Sequence, residues 1–355
     1  MRALRMAGAA AAWLLASDPT LGAAPVPAPL AVGLNEAVSL PEAPEIAAAP
    51  QVADRLLPPL AAEGLRRQLA REDHRLTNPA IDPAAERFIV YVPPTRPAAG
   101  YGLLVFVPPW RTARLPAGWA QSLDRAGMIF VSAENSGNDQ SVAARRAPLA
   151  LIGYANVARR FPIDPARVYV GGFSGGSRVA LRLALAYPDI FRGALLNAGS
   201  DAIGVSPIHL PSPELMSLFQ TRSRIVEVTG SDDPGSLALD LASQSSFRKW
   251  CVPGVQAKVT PWAAHGAADA AAFGWALTAL TGPAPAADEA ALSACRAARA
   301  HDVEAALAQA KALVDAGQAA AARRELLAID NSLGGLAAPA SVALADRCRC
   351  GIFPP

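Results

Sequence analysis

Ser174 stands in the run Val168-Tyr169-Val170-Gly171-Gly172-Phe173-Ser174-Gly175-Gly176-Ser177, a Gly-x-Ser-x-Gly pattern with an apolar stretch before it and a helix-forming stretch after it. A serine hydroxyl attacks a carbonyl carbon only when a base takes its proton, and the base needs a carboxylate to orient it. The spacing predicts a sharp strand-to-helix turn with Ser174 at the apex. Gly172 and Gly176 carry no Cβ to keep the neighbouring backbones apart. The helix that follows aims free N–H groups back at the serine, where they can hold a developing oxyanion.

The chain has four histidines, His74, His209, His265 and His301. His265 follows the last strand-like run, in Trp262-Ala263-Ala264-His265-Gly266, and precedes an apolar helical stretch. That puts it in a loop at the carboxyl end of a strand, where reactive residues gather in sheets of this kind. His74 precedes the sheet, His301 falls in a helical tail, and His209 lies in a Pro-rich loop between two late strands. His265 is therefore the expected base. The acid should come from a strand end between Ser174 and His265. Gly230-Ser231-Asp232-Asp233 follows a strong strand pattern, and Asp233 is the first choice there. Asp232 and Asp201 remain as alternatives, since an Asx turn or helix cap would also account for any of the three.

An oxyanion site needs two backbone donors. Gly175, next after the nucleophile, supplies one, and the loop after an early strand supplies the other. That loop reads Val107-Pro108-Pro109-Trp110. Proline has no N–H, so Trp110 is the first residue able to donate. Trp110, Phe173 and Trp262 are the aromatic residues placed to wall a substrate pocket, with Phe173 and Trp262 as the expected substrate contacts.

Strand-like runs at 87–92, 103–107, 128–131, 168–170, 194–196, 224–228 and 257–260 alternate with helical patterns at 116–126, 141–160, 175–187, 235–249 and 267–281. This alternation predicts an α/β protein, with a mostly parallel sheet covered by helices on both faces. Residues 25–52 are Pro/Ala-rich and aperiodic, which predicts a linker. Residues 53–72 read as helix interrupted at Pro58-Pro59, and the catalytic region is expected over 53–282. Beyond it, 283–355 is rich in Ala, Leu, Glu and Arg and predicts two or three short helices packed on the main body.

Arg2 and Arg5, an apolar core from Met6 to Ala16 and the small residues Gly22-Ala23-Ala24 form an export signal over residues 1–24. Its apolar core is too short to span a bilayer. Cys251, Cys295, Cys348 and Cys350 are an even set that can pair fully in an oxidising compartment, with connectivity open. Cys348 and Cys350 have no nearby histidine or second cysteine pair, so no metal is expected, and hydrolysis by serine needs no cofactor. The net charge of +2 is spread along the chain without a basic stripe, which disfavours nucleic acid as a partner.

The segments Asp164-Pro165-Ala166-Arg167-Val168-Tyr169-Val170, Gly172-Phe173-Ser174-Gly175-Gly176 and Ala186-Tyr187-Pro188-Asp189-Ile190-Phe191 resemble the extracellular polyhydroxyalkanoate depolymerase and feruloyl esterase group of α/β-hydrolases. The resemblance runs from about Arg87 to Gly282. It implies a secreted serine esterase using Ser174, Asp233 and His265 on a small or oligomeric ester. The chain departs from the group at Pro108-Pro109, where His-Gly is usual, and at Ser177, where a second glycine is usual. Two other readings stay open: a serine peptidase on the same fold, and an inactive exported binding protein.

Overall fold

The computed structural model describes residues 30–74, 81–282 and 288–353. The segment expected as an export signal lies outside them. Eight strands form one sheet: β1 (Gly33–Val38), β2 (Phe88–Val92), β3 (Tyr101–Val107), β4 (Met128–Ala133), β5 (Ile163–Phe173), β6 (Gly193–Asn197), β7 (Arg224–Gly230) and β8 (Val255–Thr260). Their spatial order is β1-β2-β4-β3-β5-β6-β7-β8. The first two pairings, β1 with β2 and β2 with β4, are antiparallel, and the rest are parallel.

The central strands are continuous apolar runs because both of their faces are covered. On one face, α3 (Ala120–Ala126) and α8 (Ala270–Thr281) pack on Ile89, Leu104, Phe106, Phe130, Leu195 and Val226. Trp119 lies fully buried among them, stacked on Phe273 at 3.7 Å between ring centroids. The other face carries α4 (Ala147–Arg160) and α5 (Gly175–Ala186), with α7 (Pro234–Lys249) following β7.

Two elements differ from the sequence-based expectation. Part of the supposed linker is strand β1, an edge strand with only Val38 buried, which pairs Gly33 with Val92 and Asn35 with Val90. An edge strand with one partner and so few buried residues leaves no hydrophobic alternation to read. The helical region before the sheet is two helices, α1 (Ala49–Leu56) and α2 (Pro59–Arg71), parted at the expected prolines. Helix α6 (Pro213–Arg222), capped by Ser212, occupies what read as a loop.

The C-terminal region forms α9 (Glu289–Asp315), α10 (Ala319–Ser332) and α11 (Ala340–Cys348). At 27 residues, α9 is longer than the expected short helices. Leu60 of α2 belongs to the apolar cluster these helices build with Val303, Ala310, Leu326, Ile329 and Leu344. Asp330, on α10 and only 4% exposed, accepts the Leu60 N–H at 2.9 Å and so caps α2 from across the chain. Disulfides join Cys251 to Cys295 and Cys348 to Cys350; the first ties the end of α7 to α9.

The turn between β5 and α5 is closely packed backbone against backbone. A Cβ on Gly172 would overlap the Gly176 carbonyl, and one on Gly176 would overlap the Val107 carbonyl at the end of β3. Gly176→Ala should therefore lower stability by at least about 3 kcal/mol, because backbone and not a flexible side chain would have to move. Gly235, near the start of α7, faces open space. Gly235→Ala should stay within about 1 kcal/mol of the parent, on the stabilising side. Urea unfolding midpoints check both, and equal midpoints would show that the elbow tolerates a Cβ.

Candidate active site

Ser174 closes β5 and opens α5 with φ 55° and ψ −122°, a backbone conformation that a residue with a side chain adopts only under constraint. The constraint comes from both sides: the Ser174 N–H donates to the Asn197 carbonyl at the end of β6, and the Ser174 carbonyl accepts from Ser177 N–H. The hydroxyl is thereby held out from the sheet, with Oγ 2.9 Å from His265 Nε2.

His265 lies between β8 and α8, in a loop fastened at several points. Asp232 N–H donates to the Ala263 carbonyl, and Trp262 N–H donates to Ser231 Oγ at 2.7 Å. Asn197, 2% exposed, accepts from Ala268 N–H through Oδ1 at 2.7 Å and donates through Nδ2 to the Val228 carbonyl at 2.8 Å. Trp119 Nε1 donates to the Ala268 carbonyl at 2.8 Å. These bonds fix the imidazole's position from the two strands and the helix around it.

The Asp233 carboxylate serves two partners. Oδ1 caps α7 by accepting Ser236 N–H at 3.2 Å, and Oδ2 lies 2.5 Å from His265 Nδ1. Burial works to raise this carboxyl, but hydrogen bonds from Ser236 and His265 outweigh it and hold it below its ordinary value. An ionised Asp233 accepts from Nδ1–H, which leaves Nε2 unprotonated and facing the serine hydroxyl. Asp232 is exposed, and its Oδ1 accepts from Ser231 Oγ. Asp201 pairs with Arg178 at 3.2 Å and reaches Arg182 at 4.0 Å. The geometry brings Asp233 to His265 and leaves the two alternatives elsewhere.

Gly175 and Trp110 are each preceded by a carbonyl that is already engaged. Ser177 N–H holds the Ser174 carbonyl at 3.0 Å, and Asn138 N–H holds the Pro109 carbonyl at 3.0 Å. Because a trans peptide is planar, fixing each carbonyl points the Gly175 and Trp110 N–H groups the opposite way. The Asn138 side-chain amide lies over Gly175, where a Cβ would collide with it. The Trp110 ring is 5.7 Å from Phe173, whose ring is 5.1 Å from His265. Phe173 is 8% exposed and packs mostly in the core, whereas Trp262 is 88% exposed with φ 59°.

The other histidines lie away from this cluster. His209 meets the carbonyls of Leu210 and Leu56, His74 sits 3.5 Å from Glu72, and His301 is exposed on α9. Asn197 was not anticipated from the sequence. A single amide ending the run Ala194-Leu195-Leu196 was its only signal, and its side-chain contacts all come from later in the chain.

Behind Asp233 lies a buried polar cluster. Ser200 Oγ donates to Glu227 Oε1 at 2.9 Å, and Ser200 N–H donates to Asp240 Oδ1 at 2.9 Å. Thr229 donates to Asp240 Oδ2 at 2.6 Å, and Gln244 donates to Glu227 Oε2 at 2.6 Å. The cluster joins β7 to α7, the helix that Asp233 caps. Burial raises the Glu227 carboxyl to about 7, opposed by Gln244 and reinforced by the charge of Asp240. Asp240 is raised as well, first by burial.

Matches to known proteins are remote. No family model and no curated protein matches the chain. Among solved structures it is similar to a ferulic acid esterase at 14% identity and a TM-score of 0.41, over 54% of this chain and 89% of that one. An S-formylglutathione hydrolase from Staphylococcus aureus gives 11% identity and a TM-score of 0.43, over 54% and 91%. A thermostable esterase gives 15% and 0.38 over 50% of this chain, and the match spans about half of that protein, 51%. The strand order and the elbow themselves define the class: the chain has an α/β-hydrolase fold.

Glu227 offers a test by pH. Its folded value lies above its unfolded value, so its contribution to stability is complete below about 4.5 and is lost as pH rises through about 7. A shift of that size corresponds to a loss on the order of 3 kcal/mol. Glu227→Gln keeps an acceptor for Ser200 and removes the buried charge. It should therefore unfold at higher urea than the parent at pH 8, with the gap shrinking toward pH 4.5. A constant gap across that range would mean that Glu227 does not titrate in the fold.

Proposed function

We propose that the protein is an exported serine esterase that works through an acyl-enzyme. The observation that carries this reading is the continuous chain Ser174 Oγ, His265 Nε2, His265 Nδ1 and Asp233 Oδ2, with separations of 2.9 and 2.5 Å. His265 Nε2 takes the Ser174 proton as Oγ bonds to the ester carbonyl carbon. The N–H groups of Gly175 and Trp110 hold the resulting oxyanion. Nε2 then passes the proton to the departing alcohol, leaving Ser174 acylated. A water molecule, deprotonated by Nε2, attacks the acyl carbon, and Ser174 recovers its proton as the acid leaves. Asp233 stays ionised and stabilises the imidazolium formed in each half.

Ser174 is half-buried and the His265 side chain is 47% exposed. An open site of this kind supports a small or oligomeric ester reaching it from solvent, with Trp262 displayed beside it. Pairing of all four cysteines supports export to an oxidising compartment. Among the described residues, no helix is long and apolar enough to cross a membrane.

A fluorophosphonate probe should label the parent and not Ser174→Ala, and that variant should lose at least about 10⁴-fold in turnover of a short-chain aryl ester. Hydrolysis by Ser174→Ala at the parental rate would overturn the reading. Faster cleavage of a peptide anilide than of the ester would make the protein a peptidase.

Asp233→Asn should reduce turnover by about 10⁴-fold, since an amide no longer selects the Nδ1–H tautomer. Asp232→Asn, whose carboxylate faces Ser231, should leave turnover near that of the parent. Steady-state kinetics on the same ester separates them, and similar mild losses in both would remove Asp233 from its role.

A further inference from the structure

Arg146 is 4% exposed, and among the described residues no carboxylate lies within ion-pair distance of it. Its donors go to backbone carbonyls on three separate segments. Nε donates to Ser136 at 2.9 Å, Nη2 to Pro108 at 2.9 Å, and Nη1 to Gly175 at 3.4 Å. Burying a guanidinium is costly, and the usual compensation is a paired carboxylate. Here the compensation is geometric, because the planar fork of donors holds three backbones at fixed spacing. Burial, with the nearby charge of Arg182, lowers this arginine to about 10 against the opposing charge of Asp139, so it stays protonated at neutral pH.

Two of those carbonyls flank the two backbone donors assigned to the oxyanion. Pro108 lies two residues before Trp110, in a loop whose two prolines offer no N–H to anchor it. That loop is instead hung by its carbonyls: Pro108 on Arg146, Pro109 on Asn138 N–H at 3.0 Å, and Arg111 on Asn135 N–H at 2.7 Å. Gly175 carries the other donor, and its own carbonyl is the third ligand of the fork. All the anchors belong to residues 135–146, between β4 and α4.

We infer that Arg146 is a positioning residue which sets the separation of the Trp110 and Gly175 N–H groups, doing for the Pro-Pro loop what backbone donors cannot. This rests on the esterase reading above. An oxyanion donor acts only within about 2.7–3.1 Å of the oxygen, so slack in that separation is felt in the transition state more than in substrate binding.

The test compares the full-length parent with Arg146→Lys and Arg146→Met at 10 °C, with folding checked by circular dichroism. The probe is a trifluoromethyl ketone, which adds to the serine and places an oxyanion between the two donors. Arg146→Lys keeps a cation but cannot span three carbonyls. Its kcat should fall about 10²-fold with KM changed little, and the ketone should bind more weakly in proportion. Arg146→Met should lose more in both. A folded Arg146→Lys with parental kcat and parental ketone affinity would overturn the inference. So would equal loss in KM alone, or failure of both variants to fold, which would leave Arg146 a structural cation. Parental activity in Ser174→Ala would instead sink the esterase reading itself, and the two failures are distinguishable.

Discussion

Where β5 turns into α5, no side-chain carbon fits at Gly172, which lies against the first turn of α5, or at Gly176, which lies against the end of β3, and the rest of the molecule is organised around that approach. The turn can be this tight only because Ser174 accepts a positive φ, and it stays there because Asn197 and Ser177 hold its peptide groups on either side. One consequence is that the Ser174 hydroxyl is placed by backbone, not by its own rotamer. Another is that β3 must end at Val107, and the chain leaving it must pass over the start of α5. The unusual Pro-Pro loop is a response to this geometry. Its carbonyls face inward to donors supplied by the segment between β4 and α4, and its prolines occupy positions where no N–H is required.

Three carboxylates near the end of β7 show how environment divides one chemistry into different states. Asp233 sits at a helix start with N–H and imidazole donors, which favour the ionised form. Glu227 and Asp240, a few residues to either side, are buried together and share the Ser200 hydroxyl, which favours protonation of one of them. The outer group is held ionised beside His265, while the inner pair fastens the helix beneath it. The polar cluster thus stiffens the support of Asp233 at some cost to stability at higher pH.

The parts of the site readable from sequence were those whose signal is local. Gly172, Ser174 and Gly176 fall within five residues, and His265 and Asp233 each follow a strong strand pattern. Even the competing explanation for Asp233 was sound, since the residue caps α7 with one oxygen while facing His265 with the other. The sequence left Asp232 and Asp201 open because neighbouring aspartates differ only in where the turn aims them. What could not be read depends on partners distant in the chain. Asn197 gains its meaning from Ala268, Arg146 from Pro108 and Gly175, and Asp330 from Leu60. Strand β1 is hidden for a related reason, since a sheet edge with little burial needs no apolar pattern. The length of α9 was masked by its alanines, which form helix readily but do not mark where it stops.

The cross-link between Cys251 and Cys295 spans the passage from the sheet to the C-terminal helices, and Leu60 of α2 lies in the core of those helices. Helix α2 and the C-terminal helices are therefore tied to one another and to the end of α7. A single backbone nick between the two cysteines would leave both fragments covalently joined, and even after reduction they would share a packed core. Such a molecule loses its C-terminal helices only when reduction and unfolding happen together.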